Sequence, residues 1–157
     1  MSVERVKDYL KAFHMEDRLR EFTVSSATVE LAAQALGTEP ARIAKSISLE
    51  DKQGCIIIVA AGDAKIDNAK FKAEFGIKAK MLAAEEVEPL TGYRIGGVCP
   101  FGNPPGARVY CDASLRRFDE IFPAGGSSNS CVRLSCEELF TVSRSMKWVD
   151  VCKNWKE

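Results

Sequence analysis

The sequence predicts a single α+β domain in which a curved, barrel-like mixed β-sheet is flanked by helices. Helical periodicity at the start of the chain and apolar, alternating runs in its middle indicate amphipathic helices and paired strands. These elements follow one another without regular strand–helix–strand alternation, which favours an α+β over a parallel α/β architecture. The length agrees, because 157 residues suit one domain, 1–157, with a sizeable core.

Helices are predicted where apolar residues recur at helical spacing behind a residue that can cap a helix. The predicted segments are the N-terminus to about His14, Ser25–Ser26 to Leu36, 68–75 behind Asp67, 83–90, and a last helix that Ser135 and Glu138 begin as a capping box. Gly37 suits the end of the second helix, because glycine adopts the left-handed conformation without a steric penalty. Shorter helical turns are expected at Pro40 and at 115–118.

Two strands in the middle of the chain predict the clearest hairpin. Residues 43–50 carry apolar side chains at alternating positions, and residues 55–61 form the apolar run CIIIVAA. Residues 51–54 have the chemistry of a turn between them. Shorter strands are expected at 20–24, 78–82, 108–111, 120–123, 130–134 and 147–151, with 130–134 as the hairpin partner of 120–123.

The composition argues against several classes of protein. Lys plus Arg equals Asp plus Glu at 22 each, which argues against a protein that coats nucleic acid by charge alone. The N-terminus lacks the apolar core of a signal peptide, and no apolar run could span a bilayer, so we expect a cytoplasmic protein without membrane contact. The six cysteines contain no C-x-x-C pair, which predicts reduced, largely buried thiols and no metal or other cofactor.

Two features carry the candidate chemistry. Lys45 lies in an apolar strand, where an ammonium is costly unless it has a function or reaches solvent at a sheet edge. Residues 96–102, GGVCPFG, contain adjacent glycines whose backbone N–H groups could hold a carbonyl oxygen or a phosphate; a tight surface turn explains the same residues. Cys99 in this loop is a weaker candidate nucleophile, because His14 is the only histidine and no partner base is evident.

Four segments occur together in a recognisable order: 28–49 (TVELAAQALGTEPARIAKSISL), 65–67 before a lysine-containing helix, 92–102 (GYRIGGVCPFG), and 124–126 (AGG) before the strand 131–134. This ordered set resembles the YbaK/EbsC family, and the resemblance covers nearly the whole chain. The family includes free-standing aminoacyl-tRNA deacylases and the editing domain inserted in some prolyl-tRNA synthetases. Because no synthetase body accompanies the motifs, the resemblance implies a domain that acts in trans.

The resemblance implies hydrolysis of the ester that joins a wrong amino acid to tRNA. Lys45 matches the essential lysine of the family and would anchor the substrate ester or an adjacent phosphate. The implied substrate-binding residues are Ser46, Gly96, Gly97, Val98, Cys99, Pro100, Phe101, Gly102, Asp112, Gly125 and Gly126. Some relatives carry asparagine after the lysine, so Ser46 leaves the amino-acid specificity open. Ile47, Val98 and Phe101 are expected to line a small pocket that excludes the correct amino acid by size.

An aminoacyl ester is already activated, so water or a hydroxyl of the terminal ribose could attack it without a strong protein nucleophile. The expected partner is the acceptor end of a mischarged tRNA, and an aminoacyl-tRNA synthetase is a second candidate partner. A modest basic patch would contact the tRNA through Lys65, Lys70, Lys72, Lys78 and Lys80. The alternatives are a non-catalytic module that binds aminoacyl-tRNA or a synthetase on the same fold, and a thiol enzyme that uses Cys99.

Overall fold

Helices and short strands alternate irregularly along residues 2–155, the part of the chain that the computed structural model describes, apart from the side chain of Ser2. The helices are α1 Ser2–Lys11, α2 Val29–Leu36, α3 Asn68–Phe75, α4 Ala84–Thr91 and α5 Cys136–Val142. The strands are β1 Leu19–Glu21, β2 Ile43–Asp51, β3 Gly54–Ala61, β4 Lys65–Ile66, β5 Ala107–Asp112, β6 Phe122–Pro123, β7 Ser130–Val132, β8 Trp148–Val149 and β9 Cys152–Lys153. Short 3-10 turns occupy Glu16–Arg18, Pro40–Arg42 and Ala113–Arg117. No helix within residues 2–155 is long and apolar enough to cross a membrane.

A mixed sheet with the strand order β6–β2–β3–β5–β8 organises the fold. The β2–β3 hairpin is antiparallel and extends from Ala44 opposite Ala61 to Asp51 opposite Gly54, whereas the other neighbouring strands are parallel. Two further antiparallel ladders join β1 to β7 and β4 to β9. The predicted α+β class, with a mixed sheet flanked by helices, is confirmed, and so is the central hairpin.

The core lies around β3, in which every residue from Cys55 to Ala61 is buried. A strand that is covered on both faces reads as a continuous apolar run, which explains why this segment lacks alternation. The apolar face of α1 packs onto this core through Val6 and Leu10, and α3 contributes Phe71. None of the six cysteines is paired with another, and all but Cys136 are buried, which confirms the prediction of largely buried thiols.

Two predicted helix boundaries are wrong in detail. Thr28 caps α2, because its side-chain oxygen accepts the Leu31 N–H at 3.1 Å, so the cap lies later in the chain than Ser25 and Ser26. The first helix ends at Lys11, and His14 takes a left-handed φ of 58° in the turn that follows. In contrast, the predicted caps Asp67 and Ser135 occupy their expected positions, and Gly37 ends α2 in the left-handed conformation.

Three predicted strands differ because their pairing depends on distant partners. Residues 78–82 form no strand of their own: a single bridge joins Met81 to Leu49 on the edge of β2. β7 takes its ladder from β1, and isolated bridges alone join residues 121–124 to 131–134. The predicted strand 147–151 is replaced by β8 and β9, since Val151 between them donates its N–H to Asp112 at 2.9 Å.

Candidate active site

A pocket of about 380 Å³ opens at the edge of the sheet. Its walls come from the beginning of α2, from β2, from residues 81–87 and from the first half of the glycine-rich loop, and its lining includes Phe122, Ala124 and Cys131. Among the described residues that line it, Lys45 alone is charged. The pocket is therefore a mostly apolar cavity with a single cationic side chain in its wall.

The pocket exists because part of the β2 edge has no neighbouring strand. β6 pairs only with Ile43 and Ala44 and ends at Pro123, whose ring nitrogen has no hydrogen to continue a ladder. Further along the same strand, the N–H of Glu50 donates to the Lys80 carbonyl at 2.7 Å, so residues 80–82 cover the edge again. The stretch that contains Lys45 and Ser46 lies in the gap between these two pairings.

Lys45 is half-buried, and its ammonium donates to the carbonyl oxygen of Gly62 at 3.4 Å. Burial lowers the pKa of Lys45 from its usual value, and the positive charge of Lys65 acts in the same direction, whereas Cys152 and Asp63 oppose the shift. A weakly held ammonium in a pocket wall can bind an anionic or carbonyl oxygen of a ligand.

Ser46 supplies a second polar group at the pocket. Its hydroxyl oxygen is buried and is the only such side-chain nitrogen or oxygen within residues 2–155 that lacks a hydrogen-bond partner. A buried polar group without a partner costs free energy.

The glycine-rich loop divides between pocket and core. Gly96 and Val98 line the pocket. Gly97 instead packs against the Gly125-Gly126 turn, where a Cβ atom on Gly97 would lie 2.8 Å from the Gly126 carbonyl oxygen. Loop and turn therefore hold each other in place at the pocket rim.

The second half of the loop is anchored in the core. Cys99 and Phe101 are completely buried, and Pro100 between them is also buried. The Tyr93 hydroxyl donates to the Phe101 carbonyl, and the Asn103 side-chain amide donates to the Cys99 carbonyl at 2.9 Å. Gly102 follows with a φ of 64° and lies against the ring of Tyr9.

Several residues implied as direct substrate contacts therefore lie away from the pocket. Cys99 and Phe101 are directed into the core, and Ile47, which was expected in the same wall as Val98, is not part of the lining. Asp112 is completely buried and accepts the N–H groups of Ser114 and Val151, each at 2.9 Å. These contacts give Asp112 a structural task in joining β5 to the segment before β9.

Gly125 and Gly126 support the site from outside the pocket. A Cβ atom on Gly125 would lie 2.5 Å from the end of the Leu19 side chain and 2.8 Å from the Ser130 hydroxyl, so glycine gives this turn a close approach to β1 and β7. Gly126 and Gly97 line a separate groove of about 1010 Å³ beside the pocket.

Sequence reasoning missed several lining residues. They are Ser26, Ala27, Thr28, Val29 and Ala32 around the start of α2, Ile43, Ala44 and Ser48 of β2, Met81, Leu82, Ala84, Val87 and Ile95 at the mouth and side, and Phe122, Ala124 and Cys131. Met81 and Ile95 are large apolar side chains that are 60% and 66% exposed, and both line the pocket. Their separation in the sequence concealed that they share one pocket mouth.

The chain is therefore an α+β domain with a mixed sheet and a lysine in an apolar pocket at the sheet edge. The family profile of the aminoacyl-tRNA editing domain matches residues 23–142. The chain belongs to this family, which confirms the resemblance found from the sequence.

Three similar proteins illustrate the family. YwhH of Bacillus subtilis (strain 168), an uncharacterised protein, is 49% identical over 157 residues, which cover 99% of this chain and 100% of YwhH. EbsC of Enterococcus faecalis, a proposed Cys-tRNA(Pro)/Cys-tRNA(Cys) deacylase, is 27% identical over 118 residues, covering 74% of this chain and 72% of EbsC. The crystal structure of a proposed trans-editing enzyme for prolyl-tRNA synthetase matches with a TM-score of 0.87 and 29% identity over 97% of each chain.

Proposed function

We propose that this protein is a trans-editing deacylase, which hydrolyses the ester bond between a wrong amino acid and its tRNA. The observation that carries the proposal is the half-buried ammonium of Lys45 in the wall of an otherwise uncharged pocket. The similarity to EbsC and to the proposed trans-editing enzyme supports the reaction type.

The lining of the pocket favours an uncharged amino acid of modest size. About 380 Å³ lies at the small end of ligand sites in proteins and suits an aminoacyl group with part of the ribose that carries it. Among the described lining residues there is no carboxylate that could neutralise a cationic side chain. We therefore expect lysyl and arginyl esters to be poor substrates, because a buried charge without a partner is costly.

The proposed chemistry depends on positioning and electrostatics. The Lys45 ammonium anchors the ester or an adjacent phosphate, and the Ser46 hydroxyl donates to a substrate oxygen. In this proposal the backbone N–H groups of Gly96 and Val98, which line the pocket, donate to the oxygen that gains negative charge. A water adds to the carbonyl carbon and gives up a proton, the bond from that carbon to the esterified ribose oxygen breaks, and the ribose oxygen takes up a proton.

A thiol mechanism has less support. Burial raises the pKa of Cys99 to about 12, and this side chain does not line the pocket. Cys131 does line the pocket, but burial raises its pKa to about 11. Because the thiolate is the nucleophilic form, neither group is prepared to attack an ester at neutral pH.

The second candidate function is a non-catalytic module that docks an aminoacyl-tRNA end or a synthetase. The observation that favours it is the absence of a histidine or carboxylate base among the described lining residues.

One experiment separates these functions. The wild-type protein is incubated with tRNAs mischarged with alanine, cysteine, serine or threonine, beside Lys45→Ala, Cys99→Ala and Lys52→Ala, the last a control in the distant β2–β3 turn. We expect cleavage of at least one ester, a loss of about 100-fold in kcat/KM for Lys45→Ala because an electrostatic contact is removed, and little change for the other two variants.

Binding of mischarged tRNA without cleavage above the spontaneous rate would favour the docking module. Loss of activity in Cys99→Ala but not in Lys45→Ala would contradict the proposed roles.

A further inference from the structure

Two lysines face each other across the short β4–β9 ladder. Lys65 is directly opposite Lys153, and both side chains are exposed. Opposed residues of antiparallel strands project to the same face with Cβ atoms about 4.5–5.5 Å apart, where like charges destabilise the pairing. This lysine pair, Lys65 and Lys153, therefore concentrates positive charge at a cost to the fold.

Among the described residues, no nearby carboxylate forms an ion pair with either member of the lysine pair. Asp63 is bound by the guanidinium of Arg117 at 2.6 Å, and Asp150 pairs with Lys70 at 3.1 Å. Asp67 accepts the backbone N–H of Lys70 at the start of α3, and this hydrogen bond is the main reason that its pKa is lowered, with Lys153 contributing. Within residues 2–155, neither member of the lysine pair forms an ion pair.

The lysine pair lies on the Lys45 side of the pocket. Lys45 donates to the carbonyl of Gly62, three residues before Lys65, and its charge interacts with that of Lys65. Cys152, the neighbour of Lys153 in β9, also interacts with Lys45. Three ammonium groups thus lead from the pocket wall onto the surface.

The groove beside the pocket has the wrong charge for a phosphate backbone. Its lining contains more carboxylates than guanidinium groups: Glu4, Asp8, Glu21 and Glu88 against Arg5 and Arg94. Arg5 also donates to the Gly92 carbonyl at 2.8 Å, and Arg94 lies 3.8 Å from Glu88. We therefore expect a polyanion whose end occupies the pocket to extend over β4 and β9 rather than along this groove.

We propose that the lysine pair binds a backbone phosphate of the tRNA acceptor end, next to the terminal adenosine whose ester occupies the pocket. This inference rests on the proposed function for the identity of the ligand. It also revises the basic patch expected from the sequence, because Lys70 and Lys80 are paired with Asp150 and Glu50, whereas Lys153 lay outside the predicted patch.

The test measures binding of an acceptor-stem RNA hairpin that ends in an unacylated CCA, by fluorescence anisotropy over a range of NaCl concentrations. Lys65→Gln, Lys153→Gln and the double variant are compared with wild type and with the control Lys52→Gln. We expect the double variant to bind about 5- to 10-fold more weakly at low salt. Its slope of log K against log[salt] should be shallower by about 0.7 for each phosphate that is no longer neutralised. Equal affinity and equal slope in the double variant and the control would overturn the proposal.

Two further measurements separate the possible causes. The double variant should unfold at the same or a higher temperature than wild type, because a like-charge contact is removed; weaker binding accompanied by a lower unfolding temperature would assign the pair a structural role and overturn the proposal. An aminoacyl-adenosine without phosphates should be cleaved equally by wild type and double variant. Failure of wild type to cleave any ester contradicts the deacylase function. The role of the lysine pair is decided separately, by the RNA affinities of the wild type and the variants.

Discussion

Lys45 and Ser46 are adjacent in β2 and are two of the polar residues that line the pocket. The ammonium is half-buried with one carbonyl partner, and the hydroxyl has none. Both groups have incomplete hydrogen bonding in a mostly apolar cavity, which is costly for stability and useful for ligand binding. In the proposed mechanism, a substrate oxygen supplies the missing partner.

The lowered pKa of Lys45 predicts an early loss of activity as the pH rises. In the proposed mechanism the ammonium is the active form of Lys45, so enzyme-dependent deacylation should decline at a lower pH than the titration of an exposed lysine would give. In Lys45→Arg the guanidinium stays protonated, and any residual activity should persist over that range. The rate is measured after subtraction of spontaneous ester hydrolysis, and a parallel decline in both proteins would rule out Lys45 as the titrating group.

The lowered pKa of Lys45 also makes stability depend on pH, but in the opposite direction to activity. Because the folded-state pKa of Lys45 is below its unfolded value, burial of the ammonium is unfavourable at lower pH, and this cost falls as the pH rises through the lowered pKa. As the pH rises through this pKa, the proposed activity should therefore fall while the unfavourable contribution of Lys45 to stability becomes smaller.

At the scale of elements, the pocket rim depends on two turns that touch backbone to backbone. The loop at Gly97 meets the turn at Gly126 so closely that no side chain fits between them. The core-facing half of the loop, with Cys99 and Phe101, prevents the loop from moving away. Glycine at this contact thus serves close packing as well as backbone freedom.

Gly97→Ala is expected to reduce kcat/KM by about 10-fold or more, because the new Cβ atom must displace either the loop or the Gly126 turn. Gly76→Ala is the matched control: it ends α3 in the left-handed conformation with open space around it. That variant should lose about 1 kcal/mol of stability and keep its activity per folded molecule. Steady-state kinetics and urea unfolding distinguish the two, and full activity of Gly97→Ala would show that the loop tolerates displacement.

At the scale of the whole molecule, Arg18 joins the N-terminal part of the chain to its last helix. Its guanidinium binds both carboxylate oxygens of Glu138 at 2.9 and 3.0 Å, and it also donates to the Arg133 carbonyl at 3.1 Å. Glu138 accepts the Ser135 N–H in the capping box of α5. One carboxylate thus completes a helix cap and a long-range ion pair.

Arg18→Ala should lower the free energy of unfolding by about 1–3 kcal/mol, because it removes two charge-assisted hydrogen bonds from a partly buried carboxylate. The control Arg133→Ala removes an exposed ion pair with Glu120 and should cost less than about 1 kcal/mol. Denaturant unfolding checks both values, and equal losses would mean that the geometry of the Arg18 pair adds nothing.

The pH dependence of this pair follows from Glu138. The hydrogen bond from Arg18 is the main reason that the pKa of Glu138 is lowered. Its stabilising contribution is therefore present above the unfolded-state pKa of the carboxyl and is lost as the pH falls through the lowered folded-state value. The difference between wild type and Arg18→Ala should shrink in acid.

The sequence by itself determined the family, the α+β class, the central hairpin and most helices with their caps. Periodicity, capping and turn chemistry act between residues that are close in the chain, so Asp67, Ser135 and Gly37 could be assigned from the sequence. The same local signals identified Lys45 and the glycine-rich loop as candidate functional features.

Only the tertiary structure decided which of these residues line the pocket. The gap at Lys45 and Ser46 exists because β6 ends at Pro123 and residues 80–82 rejoin the β2 edge, and both partners are distant in sequence. Contacts between distant segments also place Cys99 and Asp112 in the core, and strand pairing places Lys153 opposite Lys65. Which side chains face a ligand depends on packing between distant segments, and a local pattern does not contain that information.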